Sequence, residues 1–279
     1  MVAAEPDEKE MKLFADFLSH RHANPLDSAS KVLKTEQWRK LYGYVANQLF
    51  GGAEKGFGKT FLEVDYDTPD FNFLHKIRSN LYFFSAAKNF HLLLELNRLL
   101  LDEDGNLREY RVVKKDALKL NSTYNQDWLQ TEYNTAVASA QMGARWLEYE
   151  ANAETHLLKY TTAGDERVRN THKVLDGIIL PVTDPFWNSY YPPWDWGCRC
   201  DVTQVLKSRA KPSDISKKDL PPTRNFLGNA GKSGQVFTDQ HPYFQGLSKA
   251  DGKLIKKAAK TEIATLEPHP APPKKKSDG

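Results

Sequence analysis

Cysteine, long apolar runs and charge of a single sign are all scarce in this 279-residue chain, and each scarcity excludes something. The two cysteines, Cys198 and Cys200, are too few for a disulfide scaffold and too close together to staple distant segments. The greasiest stretch, Leu92–Leu101, is broken by Glu95, Asn97 and Arg98, well short of the roughly 20 apolar residues a bilayer requires, so no membrane-spanning segment is expected. The acidic N-terminus, from Met1 to Met11, carries no apolar stretch of the kind a secretory signal needs. These absences predict a soluble protein made in a reducing cytoplasm. Lys and Arg number 39 against 36 Asp and Glu. Seven lysines against Glu262, Glu267 and Asp278 fall in Lys253–Gly279, which leaves 32 basic and 33 acidic side chains in the preceding 252 residues. A body that is basic all over is excluded, and any attraction to nucleic acid is concentrated in the tail. There are no internal repeats.

What is present divides into two textures. The first half is helical by pattern, with a short amphipathic piece over Met11–Ser19 and a longer helix from about Lys31 to Phe50. In that helix Trp38, Leu41, Tyr42, Val45 and Leu49 follow three-to-four spacing, and Gly51-Gly52 is its expected stop. Thr60–Tyr66 alternates weakly, as a short strand would. Asp70 is the expected N-cap of a helix carrying Phe73, Leu74, Ile77, Leu81, Phe84, Phe90 and Leu94, which ends at the turn-forming run Asp102–Asn106. A short helix over Arg111–Leu120 and a long one over Gln126–Ala151 follow, the latter lined with small residues such as Ala136, Ala140 and Gly143 that permit close backbone approach.

After about residue 154 the helical period gives way to short β-like runs, His156–Thr162, Ile178–Val182 and Cys198–Val205, with Trp187, Tyr190, Tyr191, Trp194 and Trp196 crowded around Pro192 and Pro193. The chain then turns polar, with an ordered excursion over Phe226–Leu247, a basic helix over Lys249–Thr265 and a Pro/Lys-rich end expected to be disordered. The predicted fold is α+β: a mainly helical region over 1–153, a small β-containing module over 154–247, and a basic helix and tail over 248–279.

Gly56-Phe-Gly58-Lys59-Thr60 imitates a phosphate-binding loop, but Ala53 stands where the pattern needs glycine and the loop follows a helix rather than a strand, so a nucleotide site is rejected. The informative segment is Thr162–Val202. Cys198-x-Cys200 on a strand would put both thiols on one face. His172 could join them, with Asp176 or Asp165 as a fourth ligand, in a zinc site. The plainer alternative packs the cysteines as small buried groups and satisfies His172 with a backbone carbonyl. A third reading makes His172 a general base with Arg167, Arg169 or Arg199 holding an anionic substrate. Against it, such charges beside a turn also form structural ion-pair networks. The clustered aromatics with Arg199 could stack on single-stranded bases, or equally form a self-packed rigid loop.

Thr131-Glu132 with Asn134 and Ala136 on the long helix come first in a longer series. Asp165, Arg167 or Arg169, His172, Leu175-Asp176-Gly177, Asp184 with Phe186, Pro192-Pro193 and Cys198-Arg199-Cys200 then follow in order. This series resembles the phage Mu F-like, or head morphogenesis, family of minor capsid proteins over roughly residues 128–205. Phe226-Leu-Gly-Asn229-Ala-Gly231 and His241-Pro242-Tyr243 are similar to downstream elements of its Bacteroidetes-type prophage members. The sequence departs from the family in Thr131-Glu132-Tyr133, where many members have Arg-Thr-Glu-Thr, and in the extra Trp194-Asp195-Trp196.

The resemblance implies a minor head protein of a tailed phage or prophage, made in the bacterial host cytoplasm and resident in the virion, at the capsid interior or portal vertex. Its partners would be the portal and other capsid proteins, with non-specific DNA contact through the Lys-rich tail. It needs no catalytic step and no cofactor, a structural zinc aside. The alternative is a phage-delivered effector enzyme, a nuclease or ADP-ribosyltransferase-like toxin, using His172 with Arg167, Arg169 and Asp165.

Overall fold

Side chains that cap helices set the architecture of the first half. The computed structural model describes residues 7–223 and 227–266. Helix α1 (Glu8–Ala23) begins where the Asp7 carboxylate accepts from the Lys9 and Glu10 N–H groups. Ser28 and Thr35 do the same for a short α2 (Ala29–Val32) and for α3 (Glu36–Phe57). The N-cap of α4 (Pro69–Leu100) is Thr68 rather than the expected Asp70. Proline at the first helical position sacrifices no hydrogen bond and has the right φ, so the cap falls one residue before Pro69. Asp70 instead pairs with Lys59 at 2.7 Å.

Two further expectations are corrected here. Helix α3 runs through Gly51-Gly52 and ends at Gly58, which takes a positive φ of 87°. Two inner glycines serve packing: a Cβ on Gly56 would lie 2.1 Å from the Val137 carbonyl oxygen, and one on Gly52 2.7 Å from the Tyr133 ring. Thr60–Tyr66 forms turns rather than a strand, with Phe61 and Val64 buried in the helical core.

Helix α5 (Tyr110–Ser122) passes through a π-helical turn (Thr123–Trp128) into α6 (Leu129–Ala151), so the two helices expected there are one continuous rod. The Asn121 side-chain amide donates to the Glu10 carboxylate at 3.0 Å, and that of Asn125 donates to the Asn121 side-chain oxygen at 2.9 Å. These bonds occupy the Asn121 amide and the Asn125 donor where the helical register widens.

The main core gathers α1, α3, α4, the first part of α6 and the stretch that begins at Leu227. Asn80 holds that stretch at both ends of its amide, accepting from the Val236 and Phe237 N–H groups and donating to the Phe237 carbonyl at 2.8 Å. Phe84 stacks on Phe237 with ring centres 3.8 Å apart.

A three-stranded antiparallel sheet forms the second unit, with β1 (His156–Thr161) between β2 (Ile179–Pro181) and β3 (Asp201–Leu206). Leu158 lies opposite both Leu180 and Gln204, and Tyr160 opposite Val202. Its core contains Leu158, Tyr160, Leu175, Trp187, Tyr191, Trp194 and Val202, and α6 supplies Met142, Trp146 and Tyr149 to it. Two hydroxyls clamp the units together: Tyr149 donates to the Val202 carbonyl at 2.6 Å, and Tyr191 to the Met142 carbonyl at 2.8 Å. Helix α6 is therefore a spine shared by both cores.

The architecture is the expected α+β one, helix-rich with a small sheet. The basic helix is also present, over Lys249–Thr265, and its inner face packs Ile255 and Ala259 into the helical body. The Pro/Lys-rich end beyond it lies outside the described residues. Among the described residues no helix is long and apolar enough to cross a membrane.

Candidate functional site

The segment between β1 and β3 is a sequence of local locks. Asp176 accepts from the Thr162 N–H at 2.7 Å and from its hydroxyl at 3.0 Å, fastening the loop after β1. Gly177, at φ 75°, lets the chain turn back so that its N–H reaches the Tyr160 carbonyl at 2.9 Å, while Leu175 is fully buried beneath. Asp184 accepts from the Phe186 N–H at 2.8 Å, which starts the single turn Phe186–Ser189 and sinks Phe186 and Trp187 into the core. Pro193 is buried, joined to Pro192 by a cis bond, and delivers Trp194 to the same core.

Three donor side chains converge inside this frame. His172 sits on a single turn of helix, Asn170–Lys173, and is 3% exposed. Its Nδ1 lies 3.2 Å from Cys200 Sγ and 3.7 Å from Cys198 Sγ. The ring stacks on Trp194 with centres 4.4 Å apart. Its Nε2 is buried and meets no hydrogen-bond partner among the described residues. Trp194 donates through Nε1 to the Tyr160 hydroxyl at 2.8 Å, and that hydroxyl lies beside Cys200.

Both thiols are free and half-buried. The contact from Cys200, helped by His172, holds the Cys198 thiol well below its ordinary range. The same contact and burial push Cys200 up.

The expected strand geometry is corrected: Cys198 and Cys200 precede β3, which begins at Asp201. Gly197, at φ 62°, turns the backbone so that the Cys198 N–H bonds to the Asp195 carbonyl at 3.1 Å. Turn geometry, rather than strand alternation, brings both sulfurs to His172. His172 also faces the sulfurs through Nδ1, where the plainer sequence reading had a backbone carbonyl.

Charged residues encircle the cluster. Arg199 holds Asp165 with two parallel bonds of 2.7 Å each, and Arg167 approaches the same carboxylate at 3.6 Å. The Arg199 hydrogen bonds pull the Asp165 carboxyl down to about 2. Arg169 donates to the Trp196 carbonyl at 2.7 Å and lies 3.6 Å from Asp195. A pocket of about 80 Å³ opens between these groups, lined by Arg167, Arg169, His172, Cys198, Arg199 and Cys200.

The other sequence candidates are elsewhere. Asp176 is committed to Thr162 and Asp165 to Arg199, and neither joins the donors that converge on one point, which are His172, Cys198 and Cys200. Glu132 lies in the helical core, bonded to Lys88, and Thr131 is exposed on α6 with its carbonyl accepting from the Thr135 hydroxyl. Sequence reasoning missed Lys88 and Tyr160. Lys88 stands in an apolar stretch of α4 where a solvated lysine is the default, and Tyr160 is an ordinary inward residue of a strand. Nothing local marks either one.

Residues 106–203 match the family model described as Phage Mu protein F like protein. The Mu-like prophage FluMu F protein of Haemophilus influenzae is 39% identical over 75 residues, which cover 26% of this chain and 18% of that protein. The putative capsid assembly protein F of Escherichia phage Mu is 28% identical over 115 residues, covering 41% of this chain and 24% of that protein. The matches thus span a quarter or less of these relatives' own length. No solved structure matches significantly. The resemblance read from the motif series is therefore borne out. The matched region begins upstream of residue 128, taking in α5 and the π-helical turn.

Proposed function

We propose that this chain is a minor head protein of a tailed phage or prophage, acting in head morphogenesis beside the portal. The observation that carries this reading is the use made of the motif residues within the matched region. Asp165, Arg199, Asp176, Gly177, Asp184 and Leu175 all fasten loops or fill the core, and α6 ties the result to the helical body through Tyr149 and Met142. What this builds is a rigid adaptor. Rigid-body docking onto a preformed assembly needs such a part, because little ordering entropy is then lost on binding. The name of the phage Mu relative, a putative capsid assembly protein, is in keeping with that role.

Co-expression of the full chain with the portal and major capsid proteins of its own prophage tests the reading. Co-purification with the portal is the expected result. Recovery of both partners without this chain would sink it.

Contact with packaged DNA belongs to the same proposal and rests on the basic helix, Lys249–Thr265. Its buried face carries Ile255 and Ala259, which leaves Lys249, Lys253, Lys256, Lys257 and Lys260 exposed on the outside. Each phosphate that a lysine neutralises steepens the fall of log affinity with log salt by roughly 0.9. Replacing Lys253, Lys257 and Lys260 with Gln should flatten that slope while leaving the helix's packing face intact. An unchanged slope removes DNA from the range of partners.

A further inference from the structure

We infer that His172, Cys198 and Cys200 form a zinc site whose fourth position opens on the pocket between Arg167, Arg169 and Arg199. This goes beyond the assembly reading and does not depend on it, since portal binding and metal binding can each fail without the other.

Three observations carry the site. First, one donor atom from each residue lies within 4.8 Å of the other two, although His172 and the cysteines come from separate loops. Second, the spacing has the dimensions of a coordination polyhedron. With zinc–sulfur bonds of roughly 2.3 Å and zinc–nitrogen bonds of roughly 2.0–2.1 Å, tetrahedral angles place sulfur about 3.6 Å from nitrogen. The two observed separations, 3.2 and 3.7 Å, bracket that edge. Third, the imidazole is aimed in advance. Stacking on Trp194 and burial to 3% exposure fix the ring with Nδ1 toward both sulfurs, so little rearrangement is needed to admit an ion.

The surrounding charges fit the same conclusion. Arg199 is already matched by Asp165, and Arg169 lies against Asp195. Each of these two arginines therefore already has a carboxylate partner. Two thiolates and a neutral imidazole leave a divalent cation electrically satisfied, and soft sulfur with nitrogen selects zinc over magnesium or calcium. Binding releases the thiol protons to solvent as the two zinc–sulfur bonds form. No fourth protein donor converges among the described residues, so a solvent molecule in the pocket completes the shell. The ion would pin the His172 turn directly to the chain entering β3, a junction otherwise held by the exposed Asp165–Arg199 pair and the Arg169 bond to Trp196.

The test is metal uptake by the full, reduced chain. Zinc alone is added, excess is removed, and bound metal is measured by mass spectrometry. About one zinc ion per chain is expected, with the melting temperature falling when a chelator strips it. Cys198→Ser and Cys200→Ser should each lose the metal. Should those variants fail to fold, cobalt(II) loaded into the unaltered chain decides the matter, because thiolate-to-cobalt charge-transfer absorption and the intense visible bands of a tetrahedral ion report the donor set directly. A folded, reduced chain that takes up no zinc overturns the site. So does zinc retained in full by the double variant Cys198→Ser/Cys200→Ser, or cobalt bound without thiolate bands.

Discussion

The helical body and the sheet module each hold one motif carboxylate against a cation, and the two pairs are built on opposite terms. Glu132 and Lys88 meet inside the body with side-chain exposures of 5% and 0%. Asp165 and Arg199 meet on the module's surface with exposures of 35% and 43%. Burial pushes the Glu132 carboxyl up and the Lys88 ammonium down, and their contact opposes both movements. At the surface the contact itself dominates, and Asp165 is held low. The same chemical pairing is thus a mutual dependency in one place and a positioning device in the other. Position in a motif says nothing about which of the two a carboxylate will be, whereas the surrounding dielectric does.

The largest expected effect comes from breaking the buried pair. Lys88→Met leaves Glu132 without its cation in the core and should cost roughly 3–5 kcal/mol, measured by urea denaturation. The double variant Lys88→Met/Glu132→Leu removes both charges and should recover most of that loss. If the single and double variants are equally destabilised, the cost lies in poorer packing and the dependency does not exist.

A second test uses another buried titrating group of the body. His241 caps the single turn Pro242–Gln245, its Nδ1 accepting from the Tyr243 N–H at 3.2 Å, and its ring packs edge-on against Phe84. Burial, helped by the nearby Lys88 and His91 charges, pulls the imidazole from its ordinary value near 6.5 down to about 4. Between those values the unfolded chain binds a proton that the folded chain refuses, so stability must fall as pH drops from about 6.5 toward 4. His241→Asn keeps an N-capping acceptor while removing the titration. Its stability curve should be flatter across that window than the unaltered chain's, and matching slopes would remove His241 as the source.

How much of this was legible beforehand follows from the range of the interactions involved. The Asp102–Asn106 turn was readable because its bonds are local: Asp102 accepts from the Asp104 and Asn106 N–H groups at 3.0 and 2.8 Å. The basic helix over Lys249–Thr265 was readable as an element. The continuation of α3 through Gly51-Gly52 was not, because Gly52 and Gly56 answer to Tyr133 and Val137 on a helix some eighty residues away in sequence. Nor was Lys88, whose burial is explained only by Glu132. At the candidate site, His172, Cys198 and Cys200 could be nominated by chemistry, but the Trp194 ring that stacks on His172 and helps them meet is a tertiary fact. Asp176 was nominated on the same chemical grounds and serves a backbone N–H instead.

The smallest effect, and the sharpest contrast with Lys88, is expected at the exposed pair. Asp165→Asn should leave the denaturation midpoint close to that of the unaltered chain, since solvent screens both partners and the long arginine loses side-chain freedom to make the contact. What should change is titration. With its folded value depressed to about 2, the Asp165 carboxyl contributes whatever stability it has above pH ~4 and loses it as pH falls toward 2. Carboxyl carbon shifts followed by NMR should therefore give a midpoint near 2 for Asp165, returning to the ordinary aspartate range in Arg199→Gln. A midpoint that stays low without Arg199 would assign the depression to the Arg167 N–H and side chain instead. The pair would then no longer be what ties the Cys198–Cys200 turn to the loop before His172. That role would pass to Arg169, whose bond to the Trp196 carbonyl joins the same two loops.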